Sequence, residues 1–218
     1  MIFLKKSIVV ILSMSFLLLM DVNASPNWEL KKQSTNIQVY TRRMPNSLLK
    51  SFKGTTLVSS RISPLVALLR DKNNYPKWVY NCQSAKSLGG KEGVDGYSYT
   101  ITKTPWPFLN RDAVVYSTLK QNKKTKEVII SLIAKPNYYP LQKGLVRIQQ
   151  LKGRWILTPQ KNGMIRVTNE IMVDPAGKLP KWLVNQFAVN TPFNTLRGLR
   201  KMINDPAYKN IKLNYIVD

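Results

Sequence analysis

The 218-residue chain carries 34 Lys and Arg against 11 Asp and Glu, a formal charge of +23, with 44% hydrophobic residues, enough for one domain with a substantial core. Histidine is absent, which excludes Ser-His and Cys-His nucleophile pairs, histidine metal sites and histidine proton shuttles; the single cysteine, Cys82, excludes an intrachain disulfide. The acids are scattered without the spacing of a glycosidase pair or a calcium loop, and no Gly-rich phosphate loop occurs, so no cofactor is expected, although carboxylates that meet only in space stay open.

Lys5 and Lys6 precede an apolar run from Ser7 to Met20 and then Val22-Asn23-Ala24, the order of a secretory signal with small residues at its cleavage site. The run is shorter than the ~20 residues that cross a bilayer, so residues 1–24 are expected to be removed rather than to anchor the chain. Lys5, Lys6 and Asp21 leave with the segment, and the remaining 194 residues carry a formal charge of +22. No cysteine follows to take a lipid. The mature chain, starting near Ser25, is expected in the periplasm of a bacterium.

Ile37 to Arg42 alternates, and Ser51 to Val58 continues after the turn-like Met44-Pro45-Asn46-Ser47, which predicts a first hairpin with Gly54 marking a bulge. Ser63-Pro64 predicts a helix opened by a serine cap, with Leu65, Leu68 and Leu69 on one face, and Tyr75-Pro76 a second short helical piece carrying Trp78. Tyr97, Tyr99 and Ile101 alternate with Ser98, Thr100 and Thr102 as a half-buried strand does. Further strands are predicted over residues 111–119, 128–134, 145–157 and 164–173, with Asn162-Gly163 as a hairpin turn before the last, making one long antiparallel meander. From Pro180 to about Asn204 apolar residues recur at helical spacing; uninterrupted, that helix would be roughly 36 Å long, with Pro192 expected to kink it. Residues 206–218 read as a basic tail of no assigned role. A curved antiparallel sheet gripping a long C-terminal helix is the simplest α+β arrangement of these elements.

Thr104 to Tyr116, TPWPFLNRDAVVY, interrupts the meander with two prolines around Trp106, a stiff loop that holds Trp106, Phe108 and Leu109 before a strand. Such a loop either packs down as a lid or offers its aromatics to something apolar outside. This segment resembles the loop-and-strand signature of the START family, the lipid-transfer domains named after the steroidogenic acute regulatory protein. A second segment agrees: Gly153-Arg154-Trp155-Ile156 through Asp174-Pro175-Ala176-Gly177-Lys178-Leu179-Pro180-Lys181-Trp182-Leu183 is similar to that family's final hairpin, DPxGxLP turn and closing helix. The resemblance spans residues 27 to 205. It implies a START/Bet v 1-like helix-grip fold with an internal lipid cavity, roofed by the C-terminal helix and the Trp106 loop, with lipid entering where the two meet. The animal members' ligands do not carry over to an exported bacterial member.

Under that resemblance the expected cavity and gate residues are Trp78, Tyr99, Trp106, Phe108, Leu109, Arg111, Asp112, Glu170, Trp182, Leu183, Phe187 and Phe193. Several keep two readings. Trp78 is a core anchor or a ligand contact, and Trp106 either meets a membrane or pins its loop to the helix. Arg111 and Asp112 point to opposite faces of a strand, so only one faces the cavity. Arg111 either offers a phosphate or carboxylate its planar fork or pairs with an acid such as Glu170, and Asp112 alternatively ties the loop through backbone donors. The expected partners are a lipid and an anionic membrane surface, with no nucleic acid, and the protein is expected to be a non-enzymatic monomer. Two other classes stay open: an enzyme of a related cavity fold, and a polyanion-binding module with a filled core.

Overall fold

The computed structural model describes residues 27–34, 36–43 and 50–218. The signal segment expected at residues 1–24 and the turn expected at Met44–Ser47 lie outside them. Ten strands form one sheet: β1 Glu29–Ser34, β2 Ile37–Arg43, β3 Lys50–Ser59, β4 Cys82–Ser87, β5 Asp95–Thr102, β6 Asn110–Gln121, β7 Val128–Ala134, β8 Leu145–Arg147, β9 Leu151–Pro159 and β10 Met164–Val173. The spatial order is β1-β2-β3-β10-β9-β7-β6-β5-β4, with β8 attached in parallel to β6. Two meanders are thus zipped together where β10 pairs with β3, from Met164 opposite Ser59 to Val173 opposite Lys50. Helices α1 (Ile62–Arg70) and α2 (Tyr75–Trp78), joined by a 3-10 turn at Lys72–Asn74, cross from β3 to β4. The long helix α3 (Lys181–Met202) lies against the sheet, followed by the short α4 (Pro206–Lys209).

The solid core gathers Val39 of β2, Val58 of β3, Leu65 and Leu68 of α1, Leu157 of β9 and Leu196 of α3. Each lies at an alternating strand position or on a helical stripe, so burial follows from the two periodicities. Gly54 does not mark a bulge, because β3 keeps unbroken register with β2 and β10 through it. A Cβ there would sit 2.8 Å from Leu196 Cδ1 and 3.0 Å from Pro192 Cβ, so the glycine lets α3 lie directly on the strand. Gly198, further along α3, permits a second close approach: its Cβ would fall 2.1 Å from the Trp78 carbonyl oxygen. Backbone cannot yield as a flexible side chain can, so Gly198→Ala is expected to cost about 1–3 kcal/mol, read as a lower urea midpoint.

Several expectations are corrected. α1 begins at Ile62 with Arg61 at its cap position, so Ser63 lies inside the helix; its N–H donates to Asp218 Oδ1 at 2.7 Å. The carboxylate that caps α1 therefore comes from the far end of the chain, where an anion suits a helix start. The stretch 145–157 divides into β8 and β9, and β8 leaves the meander to run beside β6. α3 is one helix of 22 residues, about 33 Å long, that continues through the buried Pro192. Residues 206–218 are docked rather than loose: Tyr208 is buried and donates to Asp71 Oδ2 at 2.7 Å, and Val217 and Gln121 exchange two hydrogen bonds of 2.8 and 2.9 Å. β1 and β4 are the two edges of the sheet. Their sequences, ELKKQS and CQSAKS, carry the lysines of protected edges and no apolar alternation, which is why no strand was expected there.

Candidate functional site

The sheet and α3 enclose a cavity of about 300 Å³. α3 builds its roof with Val184, Phe187, Ala188, Thr191 and Thr195, spaced so that they fall on one stripe. The neighbouring stripe, Pro192, Phe193, Leu196 and Leu199, is buried in solid core, so the same helix covers packing on one side and a void on the other. β5 and β6 give one wall. Ser98, Thr100 and Thr102 face the cavity together with Arg111, Val115 and Ser117.

The pairing of Thr102 with Arg111 and of Gly96 with Ser117 marks two ends. At the first end Arg111, buried to 5% exposure, donates from Nε to the Pro175 carbonyl at 3.2 Å, from Nη2 to that of Ala176 at 3.1 Å, and from Nη1 to that of Leu109. It braces the Trp106 loop against the turn that leads into α3. Burial without a carboxylate partner pulls its pKa down from the ordinary arginine value. Asn110 staples the loop's base, its Oδ1 accepting from the Thr104 N–H and its Nδ2 donating to Gln83 Oε1, both at 2.9 Å. The loop's apolar groups face outward: Trp106 is 91% exposed and Leu109 55%, while Phe108 is half-buried; across the turn Trp182 is 63% exposed.

At the second end lie Tyr75, Trp78 and Trp155, a chain of edge-on ring contacts at 5.2 and 6.4 Å between centroids. Asn169 stands opposite Trp155 across the β9–β10 pairing. Lys72 belongs here through its bond to Tyr75, and Arg70, two residues earlier, ties the end of α1 to β5 through the Asp95 carbonyl at 3.1 Å. Lys72 Nζ donates to the Leu69 carbonyl at 2.7 Å and to Tyr75 Oη at 2.5 Å, and Tyr75 in turn donates its hydroxyl to Leu69 O at 2.6 Å. Burial drives the Lys72 pKa down to about 7, with Arg70 adding repulsion and Asp71 opposing it. Lys72 is half-buried and lines the cavity. Burial also pushes the Cys82 thiol up to about 11, so it stays protonated and is a poor nucleophile.

Trp78, Arg111 and Phe187 line the cavity. Tyr99 and Asp112 are on the opposite face of the same strands, where an irregular segment covers them. Asp112 is 1% exposed and receives both Arg147 Nε and Arg147 Nη2 at 2.9 Å and the Tyr99 hydroxyl at 2.9 Å, so it binds side chains rather than the backbone donors of the loop. Tyr99, shifted by burial and by that bond, has its pKa pushed up to about 12. Glu170 also faces away from the cavity, accepting from Arg154 Nε at 2.8 Å, so it is not the partner of Arg111. Leu183 and Phe193 are buried in packing outside the lining, with Lys32 Nζ 4.0 Å over the Phe193 ring. The placement of Tyr99 follows from cover: Tyr138 stacks on Tyr97 at 3.7 Å and Tyr139 lies 4.7 Å from Tyr99, so the aromatics of β5 are covered on the outer side while Ser98, Thr100 and Thr102 face the void.

Lys72, Tyr75 and Asn169 were missed by sequence reasoning. Asn169 had a signal, since it is the polar member of the inward series Ile165, Val167, Asn169, Ile171, Val173 on β10. Lys72, within Asp71-Lys72-Asn73-Asn74, had none; it reads as an exposed turn.

The family model described as START domain matches residues 12–208. An uncharacterized protein of Pseudomonas aeruginosa is 36% identical over 176 residues, which cover 80% of this chain and 85% of that one. The phosphatidylcholine transfer protein of Rattus norvegicus is 27% identical over 183 residues, 80% of this chain and 83% of that one. Among solved structures, a fragment (25–204) of a STAR-related lipid transfer protein from Xanthomonas axonopodis superposes with a TM-score of 0.76 at 34% identity, covering 82% of this chain and 99% of that one.

Proposed function

This chain belongs to the START domain family, and on that premise we propose that it binds a lipid in the cavity beneath α3 and carries it between membranes in the bacterial periplasm. The observation that carries this reading is the void itself, a space of about 300 Å³ roofed by a single helix, of the size that holds small ligands. Acyl carbons leaving water gain roughly 0.8 kcal/mol per buried CH₂, so such a chamber holds a lipid without any reacting group. The relatives named for lipid transfer favour a carrier over an enzyme. The protonated Cys82 thiol and a cavity lining without carboxylates among the described residues favour it too.

Passage of the lipid requires the rim to open. Arg111 links the loop to the turn before α3 through three carbonyl bonds, and Trp106, Leu109 and Trp182 stand exposed beside it. Exposed indoles suit the membrane interface, and the basic surface favours anionic headgroups by ~1 kcal/mol per well-placed Lys or Arg. In this reading the rim docks on a membrane, the Arg111 bonds break, and α3 shifts from the sheet. Export of the chain with loss of residues 1–24 would leave a mature protein beginning near Ser25. Trp106→Ala is expected to slow lipid transfer between labelled vesicles about tenfold, with the amount of lipid held at equilibrium retained; an unchanged rate removes Trp106 from the gate.

A further inference from the structure

The cavity is charged in one sense only. Lys72, Lys103 and Arg111 are among its lining residues, and among the described residues no Asp or Glu lines it. The buried Arg111 and the half-buried Lys72 differ in what they have left to give. Arg111 spends its fork on the carbonyls of Leu109, Pro175 and Ala176. Lys72 spends two of its three N–H bonds, on Leu69 O and Tyr75 Oη, and keeps the third. The adjacent carboxylate, Asp71, accepts instead from the Tyr208 hydroxyl at 2.7 Å and Asn74 Nδ2 at 2.6 Å.

Two neighbours add unused donors. Asn169 Nδ2 and Trp78 Nε1 are buried without a protein partner, and both side chains line the cavity. Trp155 links them, contacting Trp78 edge-on and pairing with Asn169 across the strands. A buried donor left without an acceptor costs roughly 1–3 kcal/mol, so the two unpartnered donors, beside a lysine on the same cavity lining, amount to an unmet demand for acceptor oxygens.

We propose that this end of the cavity binds the anionic headgroup of an acidic lipid, a phosphate or a carboxylate, with Lys72 as the charge partner and Asn169 and Trp78 as further donors. The inference rests on the lipid-carrier reading and narrows its ligand. Headgroups bearing a fixed cation are selected against. No carboxylate among the described lining residues is there to receive a quaternary ammonium, and the Tyr75 ring already has Lys72 Nζ 4.5 Å from its centroid, a cation that would repel a second one at this end. The Lys72 pKa, lowered by burial and by Arg70 against the opposing pull of Asp71, agrees with a site lacking its counter-ion; Arg70, Asp71, Tyr75 and Cys82 are the titratable groups around it, and its bonds go to the Leu69 carbonyl and the Tyr75 hydroxyl rather than to a carboxylate. A bound anion would restore the charged form.

The test is selective loading. The mature protein is incubated at pH 7.4 with phosphatidylcholine vesicles containing one-fifth phosphatidylglycerol, or one-fifth palmitate, re-isolated, and its lipid extracted and quantified. Because both lipids share one vesicle, docking by surface charge is common to both. Expected is about tenfold or greater enrichment of the anionic component over its vesicle share; the phosphatidylglycerol arm reports a phosphodiester and the palmitate arm a carboxylate. Lys72→Met should bring enrichment to within about twofold of the vesicle composition while lipid is still bound. Asn169→Leu, nearly the same shape and leaving Lys72 in place, should lower enrichment several-fold, and it carries the test if the lysine variant does not fold. Phosphatidylcholine recovered in proportion in both arms, or enrichment that survives both substitutions, overturns the inference and leaves the carrier reading standing. Protein that acquires no lipid in either arm overturns both.

Discussion

Asp112→Ala is expected to destabilise the protein by about 3–5 kcal/mol, the cost of stranding a buried charge. Arg147 and Asp112 are 3% and 1% exposed at their side chains and meet through two bonds of 2.9 Å. Arg147 also donates to the carbonyls of Tyr139 at 2.8 Å and Pro140 at 2.9 Å, and to that of Pro136. One ion pair thus fastens the segment between β7 and β8 to the outer face of β5 and β6. Removing the carboxylate leaves the guanidinium on carbonyls alone and frees the Tyr99 hydroxyl. For a chain of this size the loss corresponds to a fall in Tm of roughly 10 °C. The double variant Asp112→Leu, Arg147→Met should be less destabilised than Asp112→Ala, since it removes both charges together. Because the pair lies outside the cavity, Asp112→Ala protein that folds should load lipid normally. A loss below about 1 kcal/mol by urea denaturation would show that the pair does not hold this face.

The second large effect is on binding. Ala188 lies on the cavity stripe of α3, buried and with its methyl toward the void. Ala188→Trp would place an indole in the space otherwise occupied by ligand and should reduce lipid uptake at least tenfold. It fills a void rather than crowding solid packing, so Tm should stay within a few degrees or rise. Loss of uptake with Tm retained separates occlusion from unfolding; full uptake by the folded variant would put the ligand elsewhere.

Periodicity was enough for the central elements. β7 and β10 were legible to the residue, because both are short runs rich in β-branched residues that stop before Lys135-Pro136 and Asp174-Pro175, and α3 because its apolar spacing persists for 22 residues. β1 and β4 were illegible for the reason that makes them tolerable as edges: they bury little. The site was less legible than the fold. Alternation in β5 told that Tyr99 and Ser98 face opposite ways, but a rule that puts apolar groups inward assumes one covered face. Here both are covered, and the hydroxyl-bearing set faces the hollow side. Gly54 and Gly198 show the same limit, since a glycine demanded by a helix lying across it looks, in sequence, like a glycine in a bulge or a weak helix. Lys72 owes its role to the long-range packing of its turn against β4, which brings it to the cavity and which no local pattern encodes.

Native mass spectrometry of the purified mature protein, before and after incubation with mixed-lipid vesicles, tests most directly that the space beneath α3 holds a lipid. The expected spectrum holds a species heavier than the polypeptide by one extractable lipid, present in the wild type and lost in Ala188→Trp. A bare polypeptide mass in the wild type under both conditions would contradict it.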